Sequence, residues 1–167
     1  MTEITHNPEN LYYKVSELLK QAQSNVVQTV NKTMVTTYFE IGRMIVEEEQ
    51  KGKERAEYGQ QLINELSYKL STEFGKGFSP TNIKQMRSFY LIYSKGQTVS
   101  DEFNLSWSHY LKLMRIDDEN ERRFYEIETY KNNWSLRELQ RQYDSALYTR
   151  LALSRDKKKS LNCQKKV

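Results

Sequence analysis

The sequence has 167 residues, 37% hydrophobic and 29% charged, with 6 Gly, 2 Pro, 2 His and a single Cys. That length supports one domain with a core, or two small helical lobes. One cysteine excludes a disulfide framework, and with only His6 and His109 beside it a Cys/His zinc site is excluded as well. The formal net charge of +4 says little about nucleic acid. Residues 155–167 hold six cations against Asp156, a net +5, which leaves −1 for the rest of the chain. A basic tail without periodicity reads as a terminus or linker. No run approaches eighteen apolar residues and no signal-peptide pattern opens the chain, so a cytoplasmic protein with no membrane partner is expected.

Sparse Gly and Pro favour long helices over an all-β design, which needs frequent turns. Leu11, Val15, Leu18, Leu19, Ala22 and Val26 fall at three-to-four spacing and predict a helix with one apolar stripe. Val35, Tyr38, Phe39, Gly42, Ile45 and Val46 repeat the pattern, as one long helix or a second consecutive one. Gly42 lies on that stripe. Mid-helix glycine costs about 1 kcal/mol relative to alanine, so a partner helix in close approach is the expected reason. Residues 47–57 are charge-rich and read as a solvated helix end and loop.

The next stripe is Leu62, Ile63, Leu66, Leu70 and Phe74. Gly75-Lys76-Gly77 follows, then Ser79 as N-cap with Pro80 at the first helical position. That helix carries Ile83, Met86, Phe89, Tyr90 and Tyr93 on one side and fades at Gly96. Residues 96–105 read as a linker between a first lobe, about 9–95, and a second, about 106–153. The second holds Trp107, Tyr110, Leu111 and Met114, then Phe124, Tyr125 and Tyr130. Its last helix opens on Ser135-Leu136-Arg137-Glu138, an S-x-x-E capping box, with the stripe Leu136, Leu139, Tyr143, Leu147 and Leu151. No segment alternates as a strand does. The expected fold is all-α: a multi-helix bundle over residues 1–155 with 156–167 as a basic tail.

Few residues are left for chemistry. Gly75-Lys76-Gly77 lacks the G-x-x-x-x-G-K-[ST] pattern and a preceding strand, so it reads as a helix C-cap in left-handed conformation rather than a phosphate loop. A metal-dependent nuclease of the PD-(D/E)xK kind needs a separate upstream acid and an acid-x-Lys on a strand. Glu49-Gln50-Lys51 and Asp156-Lys157-Lys158 fit the short piece, yet no strand is in sight and residues 1–100 contain no Asp. Both read as charged surface. No catalytic residue and no cofactor are expected.

A binding face is better supported. At about 100° per residue, Thr81, Lys84, Gln85 and Ser88 lie opposite the apolar arc, with Asn82 and Arg87 at its edges. No acid interrupts Thr81 to Lys95, and from Lys69 to Lys95 five cations stand against Glu73, a local +4. Asn and Gln pair with adenine, Arg and Lys with guanine or phosphate. Helix, glycine-containing turn and second helix match a helix-turn-helix; an ordinary solvated helix face is the alternative. Trp107, Trp134 and the tyrosines read as core anchors before base-stacking platforms, and His109 as a hydrogen-bonded interior or boundary residue.

Several stretches in order carry a resemblance. They are Tyr38-Phe39-Glu40-Ile41-Gly42-Arg43, Tyr58-Gly59, Leu66-Ser67, and Phe74-Gly75-Lys76-Gly77-Phe78-Ser79 leading to Asn82 and Met86-Arg87-Ser88-Phe89-Tyr90. Leu105-Ser106-Trp107-Ser108-His109-Tyr110, Arg123-Phe124-Tyr125, Trp134-Ser135-Leu136-Arg137-Glu138-Leu139 and Leu147-Tyr148-Thr149-Arg150-Leu151 complete the set. Together, over roughly residues 12–155, the chain resembles the N-terminal domain of YhcG-type proteins. The resemblance implies a helical module that precedes a PD-(D/E)xK nuclease domain in full-length bacterial relatives and acts in DNA binding or assembly. The chain is expected to stop where that nuclease domain would begin, so the nuclease acids and lysine have no positions here.

The expectation is a non-catalytic DNA-binding and assembly module. Its DNA contacts would come from Lys76, Thr81, Asn82, Lys84, Gln85, Arg87 and Ser88. Its partners would be DNA, a second copy or more of itself, and a nuclease domain or subunit. The alternative is a protein-interaction or dimerisation module with no DNA contact.

Overall fold

The computed structural model describes residues 8–51, 56–95 and 103–154, and within them the chain is helical with no strand. The first element, α1, is one helix, Pro8–Lys51, of 44 residues, about 66 Å long at 1.5 Å per residue. Nothing in the sequence breaks it: Pro8 stands in its first turn and Gly42 is its one interior glycine. The apolar stripe of its first half stays in solvent, and burial begins at Val35.

α2 (Ala56–Phe74) and α3 (Pro80–Tyr93) are joined through a single 3-10 turn, Lys76–Phe78. Gly75 has φ 88°, which favours glycine, and its N–H bonds the Ser71 carbonyl at 3.1 Å. Its ψ of −165° is extended rather than helical, so the left-handed helical cap expected here takes a different form. The extended backbone sends the chain away from α2 into the 3-10 turn. Ser67 and Ser71 on α2 both donate to the Phe78 carbonyl, which pins the turn back onto the helix that precedes it. Ser79 then caps α3 by accepting from the Asn82 N–H at 3.3 Å. Pro80 follows at the first helical position, where its missing N–H leaves no bond unmade.

α3 lies against the second half of α1. A Cβ built on Gly42 would stand 2.2 Å from the Met86 carbonyl oxygen and 3.0 Å from the Tyr90 Cβ. The glycine is where the two helix backbones meet, as its place on the stripe predicts. Ile45, Ile63 and Ile83 tie α1, α2 and α3 into one small buried cluster.

Beyond residue 103 come α4 (Trp107–Leu113), α5 (Glu119–Lys131) and α6 (Leu136–Asp144). Their buried side chains share a cluster with α1 and α3: Val35, Phe39 and Phe89 pack with Leu105, Tyr110, Leu113, Tyr125 and Leu139. The aromatics fill this core. Phe89 has ring centroids of Tyr93, Phe103, Tyr110, Trp107 and Phe39 within 4.8–5.8 Å. Burial first, and nearby Glu126 second, push the Tyr93 and Tyr110 phenols up, so both keep their protons.

The last predicted helix differs in two details. Ser135 accepts from the Glu138 N–H, but the Glu138 carboxylate turns to Arg141 and Gln142 instead of closing the box. The helix also stops at Asp144, because Ala146 takes a positive φ of 51°, and helical structure resumes over 147–154. Tyr125 explains the break: its hydroxyl donates to the Gln142 carbonyl and accepts from the Tyr148 N–H, so it holds both sides of the turn.

His109 is a boundary residue. Its Nε2 faces the Trp134 carbonyl at 3.1 Å, so that nitrogen carries the proton, and Nδ1 accepts from the Ser106 hydroxyl at 2.7 Å. Half-burial lowers its pKa from 6.5 despite the opposing carbonyl. With the folded value below the unfolded one, the unfolded chain binds the proton more tightly. The contribution of His109 is therefore complete above about pH 6.5 and is lost as pH falls through the folded value. Thermal melts from pH 7.5 to 5 should show His109→Gln flatter than wild type across that window. Parallel curves would contradict the assignment.

Candidate nucleic-acid interface

Sequence and structure agree on which side of α3 is buried: Ile83, Met86 and Phe89 are inaccessible. On the other side Thr81, Lys84 and Ser88 are exposed, and Lys76 is exposed in the turn before them. Neither Lys76 nor Lys84 makes an ion pair among the described residues. These four residues are a hydroxyl–ammonium strip free to meet a phosphate backbone. Gln85 sits half-buried at its margin.

Asn82 and Arg87 have other partners. The Asn82 side chain donates to the Gly77 carbonyl and accepts from Trp107 Nε1 at 2.9 Å. Its amide thus locks the turn and joins α3 to α4, and reading a base would mean breaking both bonds. Arg87 Nε donates to Glu49 Oε2 at 2.6 Å, with the Glu49 side chain only 19% exposed. The acid-free run of α3 is therefore not acid-free in space. Glu49, expected to be solvated charged surface, instead faces Arg87 from α1 and neutralises one of its cations. No local pattern could reveal this, since the pair is 38 residues apart in the chain.

Between them α1, α2 and α3 enclose an open cleft of about 530 Å³, lined by Glu49, Tyr58, Gln60, Lys84, Arg87 and Ser88 among others. Of these, only the three on α3 were expected from the sequence to contact DNA. Tyr58 and Gln60 lie one turn into α2, and a polar residue at a solvated helix start carries no distinguishing signal. The cleft juxtaposes one carboxylate, two cations, a phenol and a hydroxyl. The carboxylate is already committed to the guanidinium, which leaves Lys84 as the cation toward solvent.

Of the acid-x-Lys pieces considered from sequence, Glu49 is thus accounted for, and Lys51 pairs with Glu48 on the surface. Asp156 lies outside the described residues. Among the described residues no group of three or more His, Cys, Asp or Glu side chains is placed to hold a metal, and no helix is long and apolar enough to cross a membrane.

Comparison with known proteins places this architecture. The chain is 36% identical over 179 aligned positions to the Escherichia coli (strain K12) protein named "Putative nuclease YhcG". That alignment covers 89% of this chain and 48% of the relative, so the chain spans about half the length of the curated protein it matches. No solved structure matches. Residues 14–150 match the DUF1016 N-terminal domain, a span that takes in α1 from Lys14 onward, the α2–turn–α3 unit and the aromatic core. The chain belongs to the DUF1016 N-terminal domain family.

Proposed function

We propose that this chain is a non-catalytic DNA-binding module of a YhcG-type nuclease, meeting duplex DNA through α2, the turn and α3. The observation that carries the reading is the exposed strip Lys76, Thr81, Lys84 and Ser88, presented by α3 and the turn before it while Ile83, Met86 and Phe89 on the other side of α3 are wholly buried. Buried anchoring makes α3 rigid, and rigid presentation is what a recognition helix needs. Nuclease chemistry belongs to a further domain of such a protein, and cytoplasmic residence fits the same reading.

Two cations of the strip, Lys76 and Lys84, are free to neutralise phosphates, and a third, Arg87, joins only by leaving Glu49. Binding to duplex DNA across a salt series tests the proposal. Wild type should weaken steeply as salt rises, because each neutralised phosphate releases counterions. Lys76→Ala with Lys84→Ala should weaken binding about tenfold or more and reduce the salt slope by about 2. Glu49→Gln, which frees the guanidinium, should tighten it. Wild-type binding that ignores salt, or equal binding by the double variant, would refute the interface.

A further inference from the structure

We infer that the first half of α1 is a self-association surface that pairs antiparallel with a second copy of this chain, about a two-fold axis between residues 22 and 23. The inference rests on α1 alone and stands whether or not α3 touches DNA.

From residue 10 to residue 30 nearly every position of α1 is exposed, apolar ones included. Leu11, Leu18, Leu19 and Val26 are each 59–67% exposed. Among the described residues nothing covers them. At about 100° per residue, the stripe from Leu11 to Met34 points roughly opposite to the face that α1 buries through Val35, Phe39 and Val46. The segment is also a poor solitary helix. Val26, Val27, Thr29, Val30 and Thr33 are β-branched and lose side-chain freedom in a helix, and helices of this kind owe their stability to packing.

The pattern of the stripe selects the occupant. Leu11, Val15, Leu19 and Ala22 are spaced four, four and three residues apart; Gln23, Val26, Val30 and Met34 are spaced three, four and four. The series reads the same from either end. An isologous two-fold contact requires just this, since residue i must meet residue j and j must meet i. Antiparallel pairing about the 22/23 point sets Leu19 of one copy on Val26 of the other, and Val15 on Val30. The smallest side chain, Ala22, falls where the helices come closest. The charged residues of this segment stay off the stripe: at about 100° per residue Lys14, Glu17 and Lys20 stand more than 90° from its centre, and Lys20 pairs with Glu17 at 2.9 Å along its own helix.

The exposure is extensive too. Eight apolar side chains of residues 11–34 are 39–67% exposed. A contiguous uncovered apolar face of this kind marks an interaction surface on a soluble protein.

The test uses the full 167-residue chain in sedimentation equilibrium, with circular dichroism to follow helicity. Wild type is expected at twice its 20.0 kDa, and Leu19→Lys or Val26→Glu alone at the monomer mass with the bundle still folded. The double variant, Leu19→Lys with Val26→Glu, should return to the dimer, because each introduced ammonium then faces an introduced carboxylate of the other copy. A monomeric wild type overturns the inference, and so does a dimer that tolerates either single charge. A double variant that stays monomeric overturns the antiparallel register. None of these results depends on DNA binding, so failure here and failure of the DNA reading are told apart.

Discussion

Gly42→Ala is expected to destabilise the protein by about 2–3 kcal/mol, against the direction that helix propensity alone dictates. In an exposed helix the same change would gain about 1 kcal/mol. Here the added methyl would meet the Met86 carbonyl oxygen at 2.2 Å and its carbon at 2.8 Å. Those are backbone atoms of α3, and no rotamer change moves them aside. The two helices must separate along their length, which is overpacking at a point where the core has no slack. Urea denaturation with unchanged m-value would measure the loss. A variant as stable as wild type would show that α1 and α3 do not approach as described. Because α3 carries the Lys84 strip, the same change should also weaken DNA binding under the proposed function.

Phe89→Ala should cost more still, about 3–5 kcal/mol, the range for removing a buried aromatic ring. Phe89 is wholly inaccessible, and its ring neighbours come from either side of it in the sequence: Phe39 on α1, Tyr93 on its own helix, and Phe103, Trp107 and Tyr110 around α4. Each tilted or edge-to-face pair adds about 0.5–1.5 kcal/mol beyond area burial. Phe89→Leu, which keeps most of the volume, should recover over half the loss. The pair of melts separates a packing role from any other: equal losses in the two variants would contradict it.

These two residues show how differently parts of the fold were legible. Gly42 could be read from its position on an apolar stripe, since a glycine kept there at a propensity cost implies a close neighbour. The sequence could not name α3 as that neighbour. Phe89 was legible as buried because it shares an arc with Ile83 and Met86, yet that it links residues on either side of 96–102 was not. Periodicity reports which face of a helix is apolar and is silent about what lies against it.

The site divides along the same line. Thr81, Lys84 and Ser88 stand exposed on the polar face that the helical spacing assigns them, and Lys76 is exposed in the turn before it. Asn82 and Arg87 have the right side chains at the right spacing, but Trp107 and Glu49 hold them. A side chain's availability depends on every element packed nearby, and a single helix's pattern contains none of that information.

By itself, then, the sequence determined the helical class, the Ser79-Pro80 start of α3, the buried arc of that helix and the family resemblance. All of these follow from local spacing and local backbone preference. Only the tertiary structure decided that Glu49 neutralises Arg87, that Asn82 serves the fold, that the helix after Ser135 breaks at Ala146 and that the stripe from Leu11 to Met34 is left uncovered. Each of those is settled by contacts between segments distant in the chain, where packing and hydrogen-bond satisfaction outweigh local preference.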